Sequence, residues 1–483
     1  MDVSINIDST VVNYPHNSPF HPDKIYPELE NLEYIHIDPS NRIYAMVRQL
    51  LIDLKLDEEK IGTKEWNPLS ALIQQGEKVV IKPNLVLHHN KGNKNINSVV
   101  THASIIRVIV DYVYIALKGT GKIIIGDAPH GDANFKIIVE QNGLKELVEW
   151  YKSIKIDIEL IDFRQFIYPR GFDKSIFQEQ KGDPLGYIQI DLGNKSLLNN
   201  LKGIDRLYGS DYNRNFIVQQ HIDGHHKYLI SRTIMDADVI ISVPKLKTHK
   251  KTGITINLKN LVGINGNKNY LAHYRIGSPS KEGDQYPDTK NLLLKLSRFY
   301  ESFSRDYLLA PNKLSLRYIN RFLRIPFILI NHLYTSIFKK KIISSGNWSG
   351  NDTCWRMCLD LNYILRFSDK NGIIQENTQR KYFCIVDGII AGEGDGPLTP
   401  NEKKCGCVIG GFDPYKVDYV STYIMGFDPE KIPLIRESMK NSNYGFSSSK
   451  LLVFARKNNH LINYKNLNLN FNPHYAWIGK IER

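Results

Sequence analysis

The sequence predicts an α/β fold, with parallel βαβ sheet layers, helices on both faces and an inserted helical region. Three observations carry this. The short β-branched runs KVVI (78–81), KIIIG (122–126) and VIISV (239–243) show no polar alternation, as strands buried on both faces do. Stretches with apolar residues at helical spacing lie between such runs, which is the pattern of parallel βαβ units. Each run also ends in polar residues: Lys82 and Asn84; Asp127, His130 and Asp132; Lys245, Lys247 and His249. The carboxyl ends of parallel strands share one sheet edge, where ligands bind.

Taken in order, residues 1–76 read as an N-terminal extension packing on the core. It has a β-like start, a helix over 41–56 and a second helix after Pro68. Residues 77–291 read as the main α/β domain. After the first buried strand come a helix with Ile105, Ile106, Ile109 and Val113 in register, the KIIIG strand, and a helix over 135–150 interrupted at Gly143. A further strand follows in KIDIELIDF. His221, His225 and His226 lie in QQHIDGHHK. Gly224 argues for a turn there, so a solvated His-rich loop is favoured over a metal site. The loop 269–287 is long enough to be functional or mobile, and it carries His273, Arg275, Glu282 and Asp284.

The organising stretch is MDADVIISVPKLKTHKKTGITINLKNLVGING, 235–266. Pro244 ends the strand because it has no N–H for a ladder. A cationic loop with Lys245, Lys247, His249, Lys250 and Lys251 is expected next. A helix would follow, carrying Ile254, Leu258, Leu261 and Val262, with Thr255 and Lys259 one turn apart on the opposite face. A strand end, a basic loop and a helix start together make an anion site. The bland alternative is a solvated basic loop.

Residues 292–346 look like the insertion. FLRIPFILINHLYTSIFKKK is apolar, broken by Pro326 and flanked by Arg321, Arg324 and Lys339 to Lys341. It is too short and interrupted to span a bilayer. It reads either as a helical hairpin packed on the core or, over 312–341, as a peripheral membrane contact with basic flanks on anionic headgroups. Residues 347–483 form the C-terminal α/β part completing the site. There a helix carries Trp355, Cys358, Leu359 and Asn362, and a strand leads into the glycine turn of Glu393 and Asp395. Asp387, Glu393 and Asp395 could hold a divalent metal such as Mg²⁺, or Asp387 could orient turn amides.

Composition bounds the function. The 483 residues, 42% hydrophobic and 23% charged, describe an ordinary globular chain of one large or two medium domains. The net charge of +13 points to anionic partners, although Lys, Asn and Ile enrichment throughout also contributes. MDVSINIDST has no secretory pattern, and five cysteines make no regular framework, so a reducing cytosol is expected, with membrane association as an option. Cys354 and Cys358 fit a helix core, and Cys405 and Cys407 a strand. Without C-x-x-C groups no zinc or iron–sulfur cluster is expected. No Walker A, G-x-G-x-x-G, G-x-S-x-G or H-E-x-x-H motif occurs, and no nucleic-acid module, so no nucleic-acid partner is expected.

VVIKPNLV, VVTHASIIRVIVD, IIIGDAPHG, ADVIISVPKLKTHKKTGITINLKNLVGI, GNDTCWRMCLDLN and DGIIAGEGDGP together resemble the domain-of-unknown-function-362 family, over about 79–426. Some members carry ferredoxin-type cysteine clusters; this chain has none. A more distant, fold-level resemblance is to nickel-pincer lactate racemases, with His130, His249, Gly253 and Lys259 at the matching positions and Gly263 near the end. In those enzymes paired histidines act as acid and base and the lysine anchors the cofactor. The Gly-Gly before that lysine is absent here.

Residues and resemblance together lead to an expected enzyme on a small carboxylated or phosphorylated anion, with isomerase- or epimerase-like proton transfer. His249, His130 and Lys259 would be catalytic. Lys82, Asn84, Asp127, Lys245, Lys247, Thr255 and Asn260 would bind substrate. The alternative is a non-catalytic ligand-binding or membrane-peripheral accessory protein docking through the insertion.

Overall fold

The structure is a computed structural model and describes all residues except 170–176, 210–213, 310–312 and 441–449. Its centre is one eleven-stranded sheet. The N-terminal half supplies β1 (Val3–Ile7), α1 (Arg42–Asp53), β2 (Lys78–Pro83), α2 (Ala103–Leu117), β3 (Lys122–Asp127), α3 (Phe135–Gln141), α4 (Leu144–Ser153) and β4 (Ile158–Asp162). The middle supplies β5 (Val239–Val243), β6 (Lys245–His249), β7 (Gly253–Thr255) and the single turn α5 (Asn257–Asn260). Then come α6 (Leu292–Phe303), α7 (Leu314–Leu323), α8 (Ile325–Phe338), α9 (Cys354–Phe367), β8 (Lys381–Glu393), β9 (Asn401–Gly411), α10 (Pro414–Ile424), β10 (Val453–Lys457) and β11 (His460–Leu461).

The main strand order is β11-β10-β1-β9-β8-β5-β2-β3-β4. The half from β8 to β4 is parallel throughout. The other half is closed by antiparallel pairs of β9 with β8 and β1. Beyond β2 the chain steps outward to β3 and β4, then returns to lay β5 on the other side of β2. The direction of winding therefore reverses between β2 and β5, the place where open α/β sheets leave a crevice.

Register explains why the runs show no polar alternation. Val79, Ile123 and Val239 are cross-strand neighbours, and so are Val80, Ile124 and Ile240. The first set shares a core with Ile106 and Val110 of α2, which lies over β2 and β3, while α1 covers the same face at β1 and β9. The second belongs to the core on the other face, where α5 meets β5 and α10 lies over β8 and β9. Each such side chain, fully buried, stabilises by about 1.5–3 kcal/mol. Helices thus cover both faces, as expected.

Several expectations need correction. The segment after Pro68 folds into successive turns rather than a helix. Residues 1–76 do more than pack on the core, because β1 is inserted between β9 and β10. Lys245 to His249 is a strand, not a loop: β6 pairs with β8 across a bulge and with β7. Thr255 ends β7 and so shares no helix face with Lys259; only 257–260 is α-helical. His221 and His226 are buried rather than solvated, with His221 Nε2 2.7 Å from the Tyr270 carbonyl.

The interrupted helix is as read, with Gly143 between α3 and α4 at φ +78°, a conformation glycine adopts without strain. The insertion is helical, and Pro326 sits in the first turn of α8, where its missing N–H leaves no bond unmade. Asn312, where the expected membrane-facing stretch begins, lies outside the described residues. Among the described residues no helix is long and apolar enough to cross a membrane.

Candidate functional site

Off the carboxyl ends of β2, β3 and β5 lies a cleft. Five lysines line it (Lys247, Lys250, Lys251, Lys259 and Lys268), together with His130, His249 and His273; its one carboxylate is Asp127. That carboxylate is already committed. Its Oδ1 accepts from Lys82 Nζ at 2.7 Å and its Oδ2 from the Leu85 N–H at 2.7 Å. Gly263 is pressed against this pair, where an added Cβ would fall 1.8 Å from Asp127 Oδ1. Lys82 also donates to the Pro83 carbonyl and to Asn260 Oδ1, and Asn260 Nδ2 donates back to the Lys82 carbonyl. Lys82, Asp127 and Asn260 therefore form the floor and tie α5 to β2.

Above the floor, Lys247 Nζ donates to Asn84 Oδ1 at 2.9 Å and to the Val99 carbonyl at 2.7 Å. Burial, then the charges of Lys245 and other neighbours, pushes its ammonium well below the usual lysine range. Lys268, held by the Ala128 carbonyl at 2.7 Å, is lowered to about 7, chiefly by desolvation. Lys251 is lowered to about 7 for the same reason and donates to the Ser345 carbonyl. Lys259 makes no salt bridge among the described residues and is 8% exposed at the cleft wall. Thr255 Oγ1 is buried in the wall without a hydrogen-bond partner. A buried hydroxyl of that kind is a group a ligand oxygen would satisfy.

The three imidazoles differ in how their ring nitrogens are used. His249 Nδ1 accepts from the N–H groups of Lys251 and Thr252, at 3.0 and 3.3 Å, because Gly253 at φ +81° turns the chain from β6 into β7. Its proton is thereby assigned to Nε2. Desolvation first, and then Lys259, Lys251 and Lys250, hold this ring neutral, with a pKa well below the usual histidine value. His273 has the opposite tautomer, its Nδ1–H donating to the Leu271 carbonyl at 2.8 Å, which leaves Nε2 as an acceptor. His130 donates Nδ1–H to Asp132, a carboxylate that orients the ring. The cleft thus holds a neutral N–H donor and carboxylate- or carbonyl-backed acceptors.

Not every expected residue is here. Lys245 points away, to a fully buried ion pair with Asp387 at 2.6 Å, sealed by Tyr14 OH at 2.7 Å. The three carboxylates expected to share a cation are kept apart. Asp387 is used by Lys245, Tyr14 and the His102 N–H. Glu393 accepts from Lys403 and from Asn472. Asp395 is exposed beside His474 at 3.5 Å. Among the described residues no group of three His, Cys, Asp or Glu side chains could hold a metal ion. The glycine turn does reach the site through backbone: Gly396 accepts from the Lys250 N–H at 3.1 Å, and Pro397 and Leu398 line the cleft.

His273 and Lys268 were not singled out from sequence as site residues. His273 falls in the long loop 269–287, whose polar residues have no periodicity to place them, and Lys268, just before it, had no signal. Nor does the structure fit a cofactor on Lys259 in the racemase manner. Asn257 and Leu258 stand before that lysine, anchored by their N–H groups to Asp418 at 2.9 Å each, with Leu258 filling core space.

Comparison with known proteins gives two findings. The model of a family described as a domain of unknown function (DUF362) matches residues 79–179 and 186–423. The chain is also similar to a thylakoid-associated protein of Synechocystis sp., 24% identical over 368 residues, covering 76% of this chain and 68% of that protein.

Proposed function

The chain belongs to the DUF362 family, and we propose that its cleft binds a small carboxylated or phosphorylated anion and moves a proton on it, as an isomerase or epimerase does. The observation that supports this is the excess of amines over acids in the cleft. Five lysines face one carboxylate, and that carboxylate is spent on Lys82 and a backbone N–H. A ligand anion would restore charge to amines that burial has made reluctant to hold protons, and Lys259 and Thr255 line the cleft to meet it.

In this reading the ammonium of Lys259 neutralises a carboxylate or phosphate oxygen. That charge acidifies the adjacent C–H and lowers the barrier to its removal. His130, oriented by Asp132, accepts the proton at Nε2. His249 presents Nε2–H to the oxygen on which negative charge grows, and a neutral donor avoids adding another cation to a crowded site. His130 then gives that proton back to the adjacent carbon of the intermediate, which completes an isomerisation. No step passes through a group on Lys259.

The test is exchange in D2O. The purified chain is incubated with 2-hydroxy acids, 2-keto acids and sugar phosphates in parallel, and deuterium uptake at carbon is followed by mass spectrometry. Uptake into one class, abolished by His130→Gln and by His249→Gln, is expected. Binding and exchange that are indifferent to His249→Gln and Lys259→Met would overturn the reading.

A further inference from the structure

The inserted helices are built inside out. Where α6, α7 and α8 meet, the contacts include polar pairs: Ser297 donates to Asn331 at 2.7 Å and Tyr300 to Asn320 at 2.7 Å, beside a stack of Tyr300 on Phe327. The large apolar side chains point the other way. Phe299 and Phe322 are each 70% exposed, Leu329 64% and Ile337 57%, and neither α7 nor α8 contains a buried residue. A water-facing helix normally shows the reverse, and large apolar side chains exposed together on neighbouring helices mark a docking site.

Charge says what docks. From Lys313 to Lys341 there are seven lysines and arginines and no carboxylate. Two groups of them bracket α8: Arg321 and Arg324 before it, Lys339 to Lys341 after it. The helix between them is about 21 Å long, shorter than the ~30 Å hydrocarbon core of a bilayer. A helix of that length lying flat places both basic groups at headgroup level and its apolar side in the acyl boundary. A second copy of this chain fits poorly, since a symmetric contact through this face would bring both cationic sets together.

We propose that residues 313–341 form a docking surface for an anionic lipid bilayer, with Phe322, Leu329 and Ile337 entering the interface and the flanking cations on the headgroups. This goes beyond the reading of the cleft and does not rest on it. The surface is not remote from that cleft, however. Just after α8, Ser345 accepts from Lys251, which lines the cleft, and from Arg305 of the segment following α6.

Vesicle flotation with the full chain tests it. Vesicles of phosphatidylcholine with phosphatidylglycerol should carry the protein up, and vesicles of phosphatidylcholine alone should do so far less. Replacing Lys339, Lys340 and Lys341 together by Gln should weaken binding about a hundredfold, from the roughly fivefold each cation contributes at such a surface. The double variant Phe322→Ser with Leu329→Ser should lose binding while its circular dichroism and melting temperature stay unchanged. Equal flotation with both vesicle types would overturn the proposal, as would flotation unaffected by the double variant. So would the absence of flotation together with self-association that the double variant removes.

Discussion

The cleft and the insertion are both rich in cations, yet they hold them in opposite physical states. In the cleft the lysines are threaded into protein: Lys247 is 0% exposed, and burial lowers the ammonium of Lys251 and of Lys268 to about 7. In the insertion Lys339, Lys340 and Lys341 stand in solvent beside exposed leucines and phenylalanines. Desolvated cations bind a small anion tightly and titrate near neutrality. Solvated ones remain charged and act over a surface, in a salt-dependent way. The net charge of +13 is one number covering both behaviours.

The sharpest way to break the comparison is to remove a buried cation that never reaches the cleft. Lys245→Met leaves Asp387 uncompensated in a fully buried setting, at a cost of about 3–5 kcal/mol. Urea unfolding would measure it, and adding Asp387→Leu should recover much of the loss. Unchanged stability in Lys245→Met would mean that the two side chains do not pair. Next in size is Gly263→Ala. Its methyl group would land on Asp127 and Lys82, so about 1–3 kcal/mol of stability should be lost, and anion binding with it.

A third expectation concerns pH. Lys251 and Lys268 have folded pKa values of about 7, depressed from the usual 10.5. Between those values the unfolded chain holds protons that the folded chain does not, so stability rises with pH from about 7 upward and is flat in these groups below it. Affinity for inorganic phosphate should run the other way, falling from pH 7 to pH 9 as the two lysines lose charge. Calorimetric titration at three pH values checks both the sign and the trend. Anion affinity that rises over this range would exclude these lysines from the site. The smallest effect belongs to the insertion. In vesicle-free solution Leu329→Ser should change stability by less than about 0.5 kcal/mol, because that side chain is already in water.

Much of this was legible in the sequence, for a physical reason. Parallel strands deliver their carboxyl ends to one edge, so Asn84, Asp127, His130, Lys247 and His249 could be expected to converge from their positions after buried runs. Other features were hidden. KLKTH reads as a polar loop because strand pairing with β8 and β7 overrides the low β-propensity of lysine. Lys245 looks like a site residue, but across the bulge between Lys245 and Lys247 it turns inward to Asp387 while Lys247 lines the cleft. Spacing groups Asp387, Glu393 and Asp395 on one short segment, but β8 runs through Glu393 and points their carboxylates at different partners. His273 lies in aperiodic chain positioned by bonds to Tyr208 and Asn351, far away in sequence.

The most direct test of the central claim is a long-range ¹H–¹⁵N correlation spectrum of the histidine rings, recorded across pH 5.5–8 with and without inorganic phosphate. The electropositive cleft requires the His249 ring to stay neutral with its proton on Nε2 throughout, and its Nε2 resonance to move when phosphate is added. A His249 ring that protonates near its ordinary value and ignores phosphate would contradict the account.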